Sequence, residues 1–262
     1  MIEVSVIIPS YKPGNYIFEC LESLLAQTLS KDRFEIIVVL NGCNEPFYSC
    51  IRAFIKDTKC LGQIILLQTD VSGVSNARNL GLNEASGNYI CFVDDDDVLT
   101  PNYIEKLLQV ISNDSIAVSN VYSFEESIEA PIKDYLTMVD NVSNGIIRDR
   151  KYLSNACCKL IPKQIIGNRR FNSNFKNGED ALFMFQLSDK IRYINKASLD
   201  CIYYRRLRVG SASRRNRSLV RQLYDIIQQQ WMYTRFFLSN LKGYSWILYF
   251  TRILAVLKTL KL

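Results

Sequence analysis

The sequence predicts an α/β fold: a mostly parallel sheet flanked by helices, followed by a C-terminal helical appendage. Three observations carry that expectation. From Glu3 to Val121 short apolar runs alternate with segments of helical period, the pattern of βαβ units. Most of those runs are too continuously apolar for a half-exposed sheet. After about residue 218 the strand pattern gives way to two helix-period segments.

The elements follow in order. Val4–Pro9, Glu35–Leu40, Ile64–Gln68, Tyr89–Val93 and Ile116–Val121 read as strands. Tyr16–Ala26 places Ile17, Leu21, Leu24 and Leu25 on one helical face. Pro46–Ile55, Ser75–Glu84 and Pro101–Ile111 fill the other gaps, the last with Pro at the helix start. Residues 122–155 have weak periodicity and are expected to cover one face of the sheet. Order returns at Cys157–Ile166 and in a helix, Asp180–Leu187. Ile191–Asn195 and Leu199–Tyr204 read as strands, Arg205–Arg217 as a mobile basic loop, and Leu219–Leu238 and Tyr244–Leu260 as helices.

Composition narrows the chemistry. Of 262 residues 48% are hydrophobic and 22% charged, the balance of a globular protein. Histidine is absent, which excludes His-dependent triads and His-ligated metals. A general base must then be a carboxylate or, less readily, Lys, Tyr or Cys. Eight scattered cysteines without a CxxC pair read as reduced thiols. Met1-Ile2-Glu3 leads straight into a strand-like run with no signal-peptide pattern. The expected location is cytoplasmic, peripheral at the inner face of the membrane if the tail docks there.

The net charge of +6 is unevenly spread. Residues 1–200 carry 20 Lys+Arg against 25 Asp+Glu, and residues 201–262 carry 12 against Asp225 alone. A basic tail on an acidic body is suited to an anionic partner. In the last helix about 14 apolar residues at ~1.5 Å each reach ~21 Å, too short for a bilayer, with Ser245, Arg252 and Thr259 as a polar stripe. Core packing, a homodimer and a membrane interface are the roles open to it.

Phe92-Val93 is followed by four carboxylates, Asp94-Asp95-Asp96-Asp97. On an extended chain Asp94 and Asp96 would share one face and Asp95 and Asp97 the other. A solvated acidic turn is the ordinary fate of such a run. The strand before it favours a site for Mg²⁺ or Mn²⁺, at the strand end where open α/β sheets bind ligands. Pro9-Ser10-Tyr11 and Asn41 sit at two further strand ends on the same edge, where an aromatic could stack on a base and an amide could hydrogen-bond it.

Four motifs in register change the reading. Pro9-Ser10-Tyr11, Gly73-Val74-Ser75-Asn76-Ala77-Arg78-Asn79-Leu80-Gly81, Phe92 to Asp97, and Gly178-Glu179-Asp180 stand in the order and spacing of family 2 glycosyltransferases. The chain resembles these inverting enzymes of the GT-A fold over about residues 3–215. The resemblance implies a nucleotide-sugar donor, by preference a UDP-sugar, and a glycan or lipid-linked glycan acceptor. It implies that Pro9, Ser10 and Tyr11 hold the base, that Arg78 lies near the nucleotide, and that Asp94, Asp95 and Asp96 face the donor. Asp96 and Asp94, the family's DxD, would be the metal residues for a divalent Mn²⁺ or Mg²⁺. Asp180 would be the catalytic base, although Asn177 as N-cap with acids in the first turn also explains that stretch. Asn41 stands where the family commonly has an Asp reading uracil. Arg206 and Ser211 belong to the loop implied to close over the diphosphate, where some relatives place a His that this chain lacks.

The implied organisation is a catalytic domain over residues 1–217, its donor half about 1–121 and acceptor half about 122–217, with an extension over 218–262. Gln228-Gln229-Gln230-Trp231 lacks the Arg of the QxxRW motif of processive synthases. A pyrophosphorylase would need a Gly-rich, Arg- and Lys-bearing loop after the first strand, which is missing. The alternative from another class is a non-catalytic glycan- or nucleotide-binding relative. No nucleic-acid partner is expected, since the tail's aromatics sit in apolar helices.

Overall fold

The computed structural model describes residues 1–58, 62–175, 177–208 and 219–257. Its elements are β1 (Val4–Ser10), α1 (Tyr16–Leu25), β2 (Phe34–Asn41), α2 (Phe47–Asp57), β3 (Ile64–Thr69), α3 (Val74–Glu84) and β4 (Tyr89–Phe92). Then come β5 (Val98–Leu99), α4 (Tyr103–Val110), β6 (Ser115–Val118), β7 (Asn120–Phe124) and β8 (Ile132–Lys133). A 3-10 turn (Arg150–Leu153) precedes β9 (Lys159–Pro162), α5 (Lys163–Ile166) and α6 (Glu179–Leu187). The chain continues through β10 (Tyr193–Lys196), β11 (Ile202–Arg206), α7 (Leu219–Ser239) and α8 (Trp246–Leu257).

The main sheet runs β10-β6-β9-β4-β1-β2-β3. β1 to β4 are mutually parallel, and β9 is antiparallel to both β4 and β6. Every residue of β1 and β2 is buried, because helices cover both faces. That double cover explains their unbroken apolar sequence. α3 approaches β1 so closely at Gly81 that a Cβ there would have no room against Ile7.

Three expectations change. The single strand expected at Ile116–Val121 is two strands in two sheets, broken at Ser119, whose N–H and hydroxyl both donate to the Cys158 carbonyl. β7 joins a second sheet, β5-β11-β7-β8. Leu99, outside every strand read from the sequence, lies in β5 opposite Tyr203 of β11. Pro101 precedes α4 instead of starting it, and its carbonyl accepts the Thr28 N–H.

The C-terminal helices pack on the body through α6. Phe185 meets Tyr233 edge-on and stacks on Tyr244, both at 5.1 Å between ring centres. Tyr233, Phe237, Tyr244 and Leu248 are buried in one continuous core with the sheet. Among the described residues no helix is long and apolar enough to cross a membrane, and all seven cysteines are free thiols. Thr259 and the end of the expected last helix lie outside the described residues.

Candidate active site

β1 lies between β2 and β4, so their C-terminal ends meet on one edge. Asn41, at the end of β2, is buried. Its amide donates to the Ser10 carbonyl at 2.7 Å and its oxygen accepts the Gly73 N–H at 2.8 Å. It thereby ties the ends of β1 and β2 to the loop before α3. A carboxylate could not donate to Ser10, which gives a structural reason for an amide here. The Ser10 hydroxyl donates to Asp95 at 2.6 Å. Pro9 is inside β1, while Tyr11 beyond the strand is 52% exposed, with Lys12 Nζ 5.4 Å from its ring centre.

The four carboxylates do not alternate as on an extended strand. They form a turn closed by the Asp97 N–H and Asp94 carbonyl at 3.2 Å, and each finds its own partner. Asp94 accepts from Arg78 Nη2 at 3.0 Å, Asp95 from Ser10, Asp96 pairs with Arg208, and Asp97 accepts the Arg206 N–H at 2.8 Å. Burial pushes Asp95 up to about 7, with Asp96 and Asp94 adding to it and the Ser10 bond opposing. Burial also raises Asp96 and Asp97. This turn therefore holds four negative charges only against a cost.

Arg206, expected in the basic loop, is the last residue of β11. It clasps the turn: its Nε donates to the Asp96 carbonyl at 2.9 Å, Nη2 reaches Glu19 at 2.5 Å, and the guanidinium lies over the Phe124 ring at 4.5 Å. Tyr203 from the same strand receives the Asp94 N–H at 3.1 Å. β11 pairs with β5 at Tyr203 and with β7 at Arg206, and the two pairings set these contacts. Ser211 lies outside the described residues.

Arg78 is not a surface helix charge. Its side chain is 3% exposed and bridges Asp94 to Asp180, with Glu179 at 3.8 Å and the Phe171 ring at 5.3 Å. Burial opposes its charge, but the carboxylates of Asp180, Asp94 and Glu179 outweigh burial and raise its pKa. The N-cap of α6 is Gly178 with φ +74°, not Asn177. A side chain at Gly178 would run into Gln229 of α7, which donates to the Asn177 carbonyl at 3.0 Å. The second Asp180 oxygen accepts the Ala156 N–H at 3.3 Å.

Sequence reasoning missed the support beneath Ala156. Buried Lys159 donates to the Asn155 carbonyl and side-chain oxygen, both at 2.8 Å, and to the Cys157 carbonyl at 2.5 Å. Burial lowers its pKa to about 8. Its one signal was a lone cation opening an apolar strand.

Burial, reinforced by the Asp180 charge, raises Glu179 to about 7. The stability tied to its proton is complete below the ordinary 4.5 and is lost as pH rises through about 7. Glu179→Gln mimics the protonated form. It should match the parent at pH 4.5 and exceed it at pH 8 by up to ~3 kcal/mol. Thermal melts at the two pH values check this, and a difference independent of pH would contradict it.

This geometry has counterparts in known proteins. The family model described as glycosyl transferase family 2 matches residues 5–175. Glycosyltransferase GlyA of Streptococcus pneumoniae serotype 4 is 32% identical over 229 residues, 81% of this chain and 32% of GlyA. The minor teichoic acid biosynthesis protein GgaB of Bacillus subtilis is 27% identical over 197 residues, 73% of this chain and 22% of GgaB. The chain thus spans a third or less of these relatives. S. aureus TarS 1–349, solved in complex with UDP-GlcNAc, superposes with a TM-score of 0.74 at 20% identity, covering 88% of this chain and 66% of that one. At that identity the likeness is one of fold, and it is the GT-A architecture expected from the motifs. With that fold, four motifs meeting on one sheet edge, and a family match across most of the chain, the protein belongs to glycosyl transferase family 2.

Proposed function

We propose that this protein transfers a single sugar from a nucleotide-sugar donor to a glycan or lipid-linked glycan acceptor with inversion. The observation that carries this reading is the Arg78 bridge, which joins the acidic turn at the donor edge to Asp180 at the start of α6. Asp180 takes the proton of the acceptor hydroxyl as that oxygen attacks the anomeric carbon from the side opposite the departing nucleoside diphosphate. One displacement needs one base, and it inverts the centre. Arg78 and the Ala156 N–H fix the orientation of the carboxylate. Exposed Tyr11 offers a stacking face for the base, while Asn41 has its amide engaged within the protein.

A UDP-hexose or UDP-N-acetylhexosamine is the proposed donor, supported by the fold likeness to TarS. A cell-surface polymer is the proposed acceptor class, supported by the name of GgaB. The proposed organisation keeps donor and acceptor halves within residues 1–217. The proposed location is cytoplasmic, at the inner face of a membrane.

A divalent cation fits this donor set. Asp94 has a half-exposed carboxylate, and on Asp96 the Arg208 guanidinium stands where positive charge is wanted. Among the described residues no three Cys, Asp or Glu side chains gather to hold a metal, so diphosphate oxygens and water would complete the shell around Asp94 and Asp96. Bound there, it would supply charge neutralisation of the leaving diphosphate. Titrating UDP-sugars by calorimetry with Mn²⁺ and then with EDTA tests the role. Asp96→Ala should lose measurable donor binding, whereas undiminished affinity in EDTA would remove the cation from the proposal. A donor-hydrolysis assay tests the activity itself, and binding without any turnover would favour a non-catalytic relative.

A further inference from the structure

The segment around the 3-10 turn and helix α8 form an open groove of about 440 Å³. Arg148, Arg150, Lys151 and Arg252 line it together with Thr251 and Leu254, and no acid does. Among the described residues none of these four cations forms an ion pair with a carboxylate. Arg252 donates to the Arg150 carbonyl at 3.3 Å, and burial, with the Arg150 charge adding to it, lowers its pKa. Arg148 and Arg150 are exposed, and Lys151 and Arg252 half-buried; like charges gathered at a surface repel one another, and an anion held among them would relieve that repulsion.

The same helix exposes an apolar face. Trp246, Phe250, Leu254 and Leu257 recur at helical spacing and each is about half exposed, with Ile247 beside them. Leu254 belongs both to this face and to the groove wall. An aromatic-bearing apolar stripe flanked by cations is the surface of a helix lying in a membrane interface. A second copy of this chain laid on the same face would set its own four cations against these, with no acid in the groove lining to compensate. A soluble anion would leave the apolar face in water.

We propose that this surface docks the protein on an anionic bilayer, the groove taking a phospholipid phosphate while the α8 face enters the acyl boundary. The inference deepens the location proposed above but does not depend on donor chemistry. The 3-10 turn that carries Arg150 and Lys151 packs against α6, whose first turn holds Asp180.

Sedimentation with vesicles tests it, using phosphatidylcholine alone and phosphatidylcholine mixed with phosphatidylglycerol, in the absence of nucleotide sugar. The protein should bind the mixed vesicles and bind neutral ones at least tenfold more weakly. Arg148→Gln and Arg150→Gln should each cost roughly fivefold on mixed vesicles, the worth of one cation at such a surface. Ile247→Ser with Leu254→Ser should weaken binding further. All four side chains substituted are at the surface, and thermal melts confirm that the variants fold. Glycerol phosphate in solution should not displace the vesicles. Equal binding to both vesicle types, cation variants that bind normally, or concentration-dependent dimerisation without vesicle binding would each overturn the proposal. Lost docking with intact donor hydrolysis would leave the proposed activity standing.

Discussion

Asp180→Asn should lower sugar transfer by two to four orders of magnitude, the usual worth of a positioned base, with donor affinity near normal. The amide is nearly isosteric, its oxygen can still accept from Arg78, and the α6 N-cap is a glycine backbone that the change leaves alone. What disappears is the oxygen proposed to take the acceptor's proton. The contact with the Ala156 N–H becomes donor against donor, a small loss of stability. Glu179→Gln, one residue away and about 100° around the helix, should keep most activity. Single-turnover assays with the donor saturated would separate the chemical step from binding. Equal losses in the two variants, or near-normal turnover in a folded Asp180→Asn protein, would place the base elsewhere.

Arg78→Met should have the largest effect on stability, roughly 3–5 kcal/mol, the range for stranding buried charge by removing its partner. In this size range that corresponds to a fall of about 10 °C in melting temperature. The guanidinium neutralises Asp94, Asp180 and Glu179 together, so its loss leaves three carboxylates facing one another. Arg78→Lys should recover only part of the loss, because one ammonium cannot span two carboxylates as a planar fork does. Adding Asp180→Asn to Arg78→Met should cost less than the sum of the two single changes, since one of the stranded charges is then gone. Additive losses would mean that the bridge contributes little.

Much of this was legible in the chain. The buried strands β1, β2 and β4 announce themselves because both faces are covered, and each observed strand begins or ends within a residue of its expected place. The strand-end motifs also lie together along one sheet edge. What escaped reading depends on partners far away in sequence. Ser119 ends β6 through a carbonyl 39 residues on, and Arg78 meets Asp180 across 102 residues. Arg206 looked like a loop cation because nothing local shows that it folds back on Asp96, 110 residues earlier. The acidic run was misjudged for a related reason: alternation assumes an extended chain, and four carboxylates with four separate partners curl into a turn instead. Lys159 was overlooked because a cation in an apolar strand has no meaning until the Asn155 and Cys157 carbonyls surround it.

The contact of Gln229 with Gly178 bears on how such enzymes can be recombined. A chimera joined at residue 218 would keep every family motif, yet it would strip Gln229 from the start of α6 and Tyr233 and Tyr244 from both sides of Phe185. The exchangeable module therefore reaches at least to Tyr244, well past the end of the family match at residue 175. Redirecting such an enzyme to a new surface thus means changing the exposed face of α8 while keeping Leu248, which enters the core.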